Sequence, residues 1–139
     1  MSMFSIFNVS GSAISAQSQR LNVVASNLAN VDAVAGPDGQ AYKARQVVFQ
    51  TRLMGAVGER DVNAGVTVST VTEDQSPGRR VHDPKHPAAD AERYVTYSNM
   101  NPVEEMVNMI SASRSYQNNI EVMNTAKSLL LKTLQLGQG

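Results

Sequence analysis

The chain has 139 residues, 12 lysines and arginines against 12 aspartates and glutamates, and no cysteine or tryptophan. This length fits one domain with helical extensions, and the balanced charge provides no basic face for nucleic acid or acidic lipid. The lack of cysteine excludes disulfides, thiolate metal sites and cysteine nucleophiles, and no apolar run approaches the roughly 18 residues a membrane span requires.

From Met3 to Val31 the pattern predicts a long amphipathic helix. Phe7, Ile14, Leu21 and Leu28 recur every seven residues, and Val24 and Val31 follow the last two by three. A heptad stripe is a surface that seeks a partner helix. Arg20 is the one ionisable side chain between Met1 and Val31, and the polar face is built from Ser5, Asn8, Ser12, Ser15, Gln19 and Ser26. Water-facing helices are usually laced with lysine and glutamate, and serine, asparagine and Gly11 are mediocre helix formers. Such a helix depends on packing, and small neutral groups suit burial between subunits because no charge is desolvated. The start of the chain, Met1 to Val9, lacks the basic residues and long apolar segment of a cleaved secretory signal.

The segment from Asp32 to Met100 has a different pattern. Gly36-Pro37-Asp38-Gly39 signals a turn. Ala41 to Leu53 and the Val/Thr-rich Gly65 to Glu73 read as strands. Ser76-Pro77-Gly78 is expected to turn the chain so that Arg79 to Val81 pairs back as a hairpin. His82 to Pro87 reads as irregular, and Arg93 to Ser98 as a last short strand. His82 and His86 have the four-residue spacing of a helical metal site, but Pro84 and Pro87 argue against a helix there. No phosphate loop or nucleophile elbow appears.

From Pro102 to Leu136 a second long helix is predicted. Asn101 fits its N-cap, Pro102 its first position and Glu104 the capping-box position; Gly137 fits a stop. Met106, Met109, Ile110 and Tyr116 begin an apolar face that Ile120, Met123, Leu130 and Leu134 continue. Adjacent Glu104 and Glu105 do not face one another on a helix, so capping and dipole effects explain them better than acid–base chemistry. The expected fold is mainly α with a β-rich insert. Its long terminal helices pair as an antiparallel, coiled-coil-like layer, with short strands between them. The expected segments are 1–31, 32–100 and 101–139, the two helical ones forming a single discontinuous core.

Leu21-Asn22-Val23-Val24-Ala25-Ser26-Asn27-Leu28-Ala29-Asn30-Val31 resembles the N-terminal signature of the bacterial flagellar rod, hook and hook-associated proteins. Val103-Glu104-Glu105-Met106-Val107-Asn108-Met109-Ile110 and Ser113-Arg114-Ser115-Tyr116-Gln117 are similar to that family's C-terminal motif. Gly36 to Gln40 ahead of Tyr42-Lys43-Ala44-Arg45-Gln46-Val47-Val48-Phe49 narrows the likeness to the proximal-rod C type. It covers nearly the whole chain and weakens from Gln50 to Gly65 and around Asp90 to Tyr97. The resemblance implies a structural, non-enzymatic subunit without a cofactor, assembled through its terminal helices into the tubular drive shaft around the export channel. Implied partners are other copies of the chain, proximal- and distal-rod proteins, the protein joining the rod base to the MS ring, and the flagellar type III export apparatus. Neither nucleic acid binding nor membrane insertion is implied. The implied location is the periplasmic rod, reached without a cleaved signal. In this reading the assembly residues are Phe7, Ile14, Leu21, Val24 and Leu28 with the C-terminal face above, and Asn22, Asn27 and Asn30 bond to backbone or adjoining helices. Two other readings are a soluble helical adaptor or export chaperone, and an enzyme using Asp83, Asp90 and Glu92.

Overall fold

A computed structural model describes residues 3–55 and 63–139. Residues 1–2 of the expected N-terminal segment and 56–62 of the central one lie outside this description. In chain order the elements are α1 (Met3–Ala29), β1 (Arg45–Met54), β2 (Asn63–Glu73), β3 (Arg79–His82), β4 (Tyr94–Tyr97) and α2 (Pro102–Leu136). The architecture is the expected one: two long terminal helices packed together, with a small antiparallel β insert between them.

Helix α1 stops at Ala29, two residues before the expected Val31. Its last carbonyls are taken by a tight turn, with Asn30 N–H donating to the Asn27 carbonyl at 3.0 Å and Val31 N–H to that of Leu28 at 3.3 Å. The Asn30 side chain also donates to the Ser26 carbonyl at 2.8 Å. These bonds satisfy carbonyl groups that a helix end otherwise leaves open. Helix α2 begins as expected: Asn101 is the N-cap, its Oδ1 accepting from Val103 N–H at 3.1 Å, with Pro102 behind it. Gly137 ends the helix in an ordinary right-handed conformation (φ −77°), rather than the left-handed one that glycine usually supplies there.

The helices run antiparallel. Asn27, near the end of α1, bonds Glu105 in the first turn of α2; Arg20 reaches Asn108 at 3.4 Å; and Met3 and Ile6 lie beside Ala126 and Leu129. The inward stripe of α2 follows an alternating four-three spacing: Glu105, Met109, Ala112, Tyr116, Asn119, Met123, Ala126 and Leu130 are all buried or half-buried. Its most closed points are small, with Ala112 at 0 % exposure and Ala126 at 4 %, and α1 likewise buries Ser5, Ser10 and Ala16 beside Val24 and Asn27. Small residues permit close helix approach; the larger apolar groups flank the seam.

Strands β1 and β2 form an antiparallel ribbon laid along α1. Two side chains fix its position. Asn27 holds Arg45 at the start of β1, and Ser12 Oγ accepts from Val66 N–H of β2 at 3.0 Å, where Val66 faces Thr51. Fifteen helical residues from Ser12 to Asn27 rise about 22 Å. Six strand residues from Arg45 to Thr51 rise about 20 Å, so helix and strand keep step. A bulge at Val48/Phe49 leaves Ser69 as the extra residue on β2 and bends the ribbon.

The expected return of Arg79–Val81 onto the preceding strand does not occur; β3 pairs with β4, Arg79 opposite Tyr97 and His82 opposite Tyr94. The intervening turn directs it there. Asn99 Nδ2 donates to the Asp74 and Ser76 carbonyls, Asn99 Oδ1 accepts from Ala44 N–H at 2.9 Å, and Ser76 N–H donates to Asp74 Oδ1. These bonds tie residues 74–76 to the entry of β1, and the chain leaves toward β4. They also explain why β1 starts at Arg45 rather than Ala41. Val34 adds a single bridge to Tyr97, and Ala35 N–H donates to the Thr96 carbonyl at 2.8 Å.

Gly65 is buried where β2 meets α1. A β-carbon there would stand 2.7 Å from Ser12 Oγ and press on Met54 Cε. Gly65→Ala is expected to destabilise the fold by about 1–3 kcal/mol, the usual cost of overpacking, seen as a lower urea midpoint with unchanged slope; an unchanged midpoint would contradict this packing. At the β3–β4 loop, Asp90 Oδ1 accepts from Tyr94 and Glu92 N–H, and Oδ2 pairs with Arg80 at 2.8 Å. The Tyr94 backbone bond and then the Arg80 bond hold the Asp90 carboxyl below its ordinary value of 3.8. Because the folded form binds the proton more weakly than the unfolded one, this contribution is complete above the ordinary aspartate range and fades as pH falls through the lowered value. An NMR titration of the Tyr94 amide is expected to move with a midpoint below 3.8, and a midpoint at or above it would contradict the arrangement.

Candidate assembly interface

The centre of the molecule is a polar clamp around one carboxamide. Asn27 has 0 % exposure. Its Oδ1 accepts from Arg45 N–H at 3.0 Å and Tyr42 O–H at 3.1 Å. Its Nδ2 donates to the Arg45 carbonyl at 2.8 Å and to Glu105 Oε2 at 3.0 Å. With these four bonds the amide is saturated. Toward Arg45 it acts as a short length of strand, bonding both the N–H and the C=O that β1 turns away from β2. Toward Glu105 it joins the two helices. The clamp thus fixes three elements from distant parts of the sequence.

Beside the clamp lies a cleft of about 410 Å³, floored by Val23, Val24 and Arg20 of α1. It is walled by Val47 and Phe49 of β1 on one side and by Glu104 and Asn108 of α2 on the other. Arg45, at its rim, pairs with Glu73 at 3.3 Å and stacks over Tyr42.

The residues proposed for assembly fall into three groups. Val24 and Asn27 are buried within the chain. Phe7, Ile14, Leu21 and Leu28 of α1 and Asn30 just after it, with Met109, Tyr116, Ile120, Met123 and Leu130 of α2, are half-buried. Asn22, Met106, Ile110 and Leu134 are exposed. The three asparagines divide accordingly: Asn27 is the clamp, Asn30 closes the end of its own helix, and Asn22 points outward. Other apolar side chains stand open on α2, namely Val103, Val107, Val122, Leu129, Leu131 and Leu136. On α1 the outward face carries Asn8, Ser15, Gln19 and Asn22, and Gly11 has open space where a β-carbon would stand.

Sequence reasoning missed Glu105, Tyr42 and Arg45. The signal for Glu105 was present, since it occupies the first position of the inward four-three stripe of α2, and an acid on such a stripe implies a buried polar partner. Tyr42 and Arg45 carried no comparable signal, because their role follows from where Asn27 brings them. The acids of the enzymatic reading serve the insert: Asp90 and Glu92 flank Arg80 at 2.8 and 3.2 Å, and Asp83 Oδ1 accepts from Lys85 N–H. His82 packs edge-on against Tyr94, and His86 Nδ1 accepts from Ala88 N–H. Among the described residues no helix is long and apolar enough to cross a membrane.

Comparison with known proteins gives a consistent result. Residues 7–37 match the family model described as flagella basal body rod protein, and residues 91–136 match that of the flagellar basal body rod FlgEFG protein C-terminal region. The chain is similar to the flagellar basal-body rod protein FlgC of Escherichia coli O6:H1, with 55 % identity over 99 % of this chain and 100 % of the relative. The FlgC of Salmonella typhimurium is 56 % identical with the same coverage, and that of Buchnera aphidicola from Acyrthosiphon pisum is 47 % identical, again over 99 % and 100 %.

Removing the clamp tests its place in this arrangement. Asn27→Ala leaves the Arg45 amide and the Glu105 carboxyl without partners in a closed site, so it is expected to destabilise the fold by about 3 kcal/mol. Chemical denaturation of the purified chain measures this, and a loss below about 1 kcal/mol would be the ordinary value of one replaceable bond.

Proposed function

The chain belongs to the FlgC family of flagellar basal-body rod proteins, structural subunits of the proximal rod, and we propose that its terminal helices build the rod while the β insert braces them. The observation that carries this reading is the amount of apolar helix surface left open after the two helices have packed on one another. Val103, Met106, Val107 and Ile110 form an exposed stripe on the first turns of α2, and leucines surround its last turns. A water-facing helix does not normally present such surfaces, whereas a helix in an assembly does.

The division of labour follows from chemistry. Inside the chain, the clamp and the small-residue seam fix how α1 and α2 meet. Outside it, the half-buried residues Phe7, Ile14, Leu21, Leu28, Tyr116, Ile120 and Met123, with exposed Met106, Ile110 and Leu134, complete their burial against neighbouring copies and other rod proteins. The neutral outer face of α1 suits the same end, because serine, glutamine and asparagine enter a subunit interface without the cost of removing a charge from water. Interlocked long helices share torsional load over many heterologous contacts, which suits a tube that turns while enclosing a channel.

The proposal extends to specific partners and to location. The subunit works in the periplasmic rod, meets the protein joining the rod base to the MS ring, and passes through the flagellar type III apparatus. The weak, nearly uncharged α1 is compatible with passage in an unfolded state and ordering on docking. Absence of cysteine avoids wrong disulfides in an oxidising compartment.

Leu28→Asp places a charge at a half-buried position of the proposed assembly face. It is expected to abolish rod incorporation and motility while expression persists; normal swimming of a strain carrying only this variant would refute the proposed packing.

A further inference from the structure

We infer that the free edge of β1 takes up an extended segment of another rod protein, added as a third strand in the cleft between β1 and α2. The inference rests on the rod-subunit reading above and goes beyond it, because the contact is made by the β insert and not by a helix face. Two bonds fix which way β1 points. Arg45 turns its N–H and C=O away from β2 to Asn27, and Val66, opposite Thr51, turns its N–H away from β1 to Ser12. Alternate residues of a strand present their backbone groups on the same side, so Val47, Phe49 and Thr51 also point theirs away from β2. Among the described residues nothing bonds to the N–H or C=O of these three. Native sheets usually blunt such an edge with charge, proline or a bulge. From Gln46 to Thr51, β1 has no charged residue, proline or glycine, and the extra residue of the bulge, Ser69, sits on β2.

The chain itself shows what kind of group fits. Asn27 bonds both Arg45 backbone groups, at 3.0 and 2.8 Å, as a residue of an adjacent strand would, and so fills the first place on this edge. The places that follow, at Val47 and Phe49, open into the cleft of about 410 Å³ that has Val23 and Val24 as its floor and the start of α2 as its far wall. Val47 to Thr51 is four strand steps, about 13 Å, and a neighbouring strand lies about 4.8 Å away. A single extended segment that passes Thr51 and stops against Asn27 meets every open group. A helix cannot do so, because its own backbone groups are bonded internally. Nor does a second copy of β1 fit: two identical edges would pair about a two-fold axis, whereas a rod is built from heterologous contacts. Of the charged side chains lining the cleft, Arg45 pairs with Glu73 and Glu105 bonds Asn27, which leaves Arg20 and Glu104. One charge of each sign favours a segment without net charge, and the valine floor favours apolar residues at its alternate positions.

Amide hydrogen exchange on the purified chain and on isolated basal bodies, quenched and read residue by residue after dissolution, tests the pairing. Val47, Phe49 and Thr51 are expected to exchange fast in the free chain and more slowly by at least about tenfold in basal bodies, with inward-facing Val48 and Gln50 slow in both. Fast exchange at all three in basal bodies overturns the docking and leaves the rod reading standing; absence of the chain from basal bodies overturns both. Phe49→Pro set against Phe49→Ala separates main-chain pairing from simple burial. Both lose the ring, and only proline loses the N–H, which β2 does not use. The proline variant is expected to be incorporated about tenfold less than the alanine one, the equivalent of one unmade hydrogen bond in a closed site. Equal incorporation contradicts the pairing, and a proline variant that fails to fold leaves the decision to the exchange measurement. The chain has no native cysteine, so Thr51→Cys carries a single maleimide-linked photo-crosslinker. The peptide it captures in basal bodies is expected to belong to another rod protein and to alternate apolar with polar residues. A peptide from a second copy of this chain, or from a helical segment, overturns the occupant.

Discussion

The two helices and the start of β1 are held together by the saturated carboxamide of Asn27. A buried amide must find up to four partners or incur the cost of leaving them unmade. Here the partners come from three places: backbone of β1, the hydroxyl of Tyr42 and the carboxyl of Glu105. The clamp therefore specifies geometry as well as contributing stability. It sets the antiparallel register of the helices, and with Ser12 some 22 Å away it sets the register of the ribbon on α1. An apolar residue of similar size would fill the space without selecting any of these relations.

What the clamp holds together is a deliberately incomplete surface. Most of the residues that α1 and α2 bury are alanine and serine, with Val24 and the Asn27–Glu105 pair, and several large apolar groups remain half-buried or exposed. In a self-sufficient helical hairpin the leucines would line the seam and the small polar groups would face water. Here small residues bring the two backbones close, and much of the leucine and valine surface is turned outward. On the proposed reading, this inversion reserves hydrophobic area for neighbours. The insert stays polar and carries most of the charge, with Arg80 between Asp90 and Glu92 as its main electrostatic knot.

The sequence was informative where periodicity or end chemistry acts locally. Both helices, the Asn101 cap and the two longer strands could be read from it, because heptad spacing, proline placement and valine–threonine alternation are short-range signals. The partner of β3 was not readable, since Asn99 decides it by reaching back to Asp74, Ser76 and Ala44, and a lone asparagine before a helix shows nothing of such contacts. The importance of Glu105 was partly legible from its stripe position, but its neighbour Glu104 and the helix start offered a sufficient local explanation. The asparagine-rich motif of α1 identified the right region; only the fold separates clamp (Asn27), helix closure (Asn30) and outward face (Asn22).

Residue-resolved hydrogen exchange on the isolated chain tests the clamp most directly. The Arg45 amide points away from β2, like that of Val47 two residues on, and differs from it in being bonded to Asn27 Oδ1. Slow exchange at Arg45 beside fast exchange at Val47 is the expected result. Equal and fast exchange at both would show that Asn27 does not hold the strand, and the register of helices and ribbon would then need another cause.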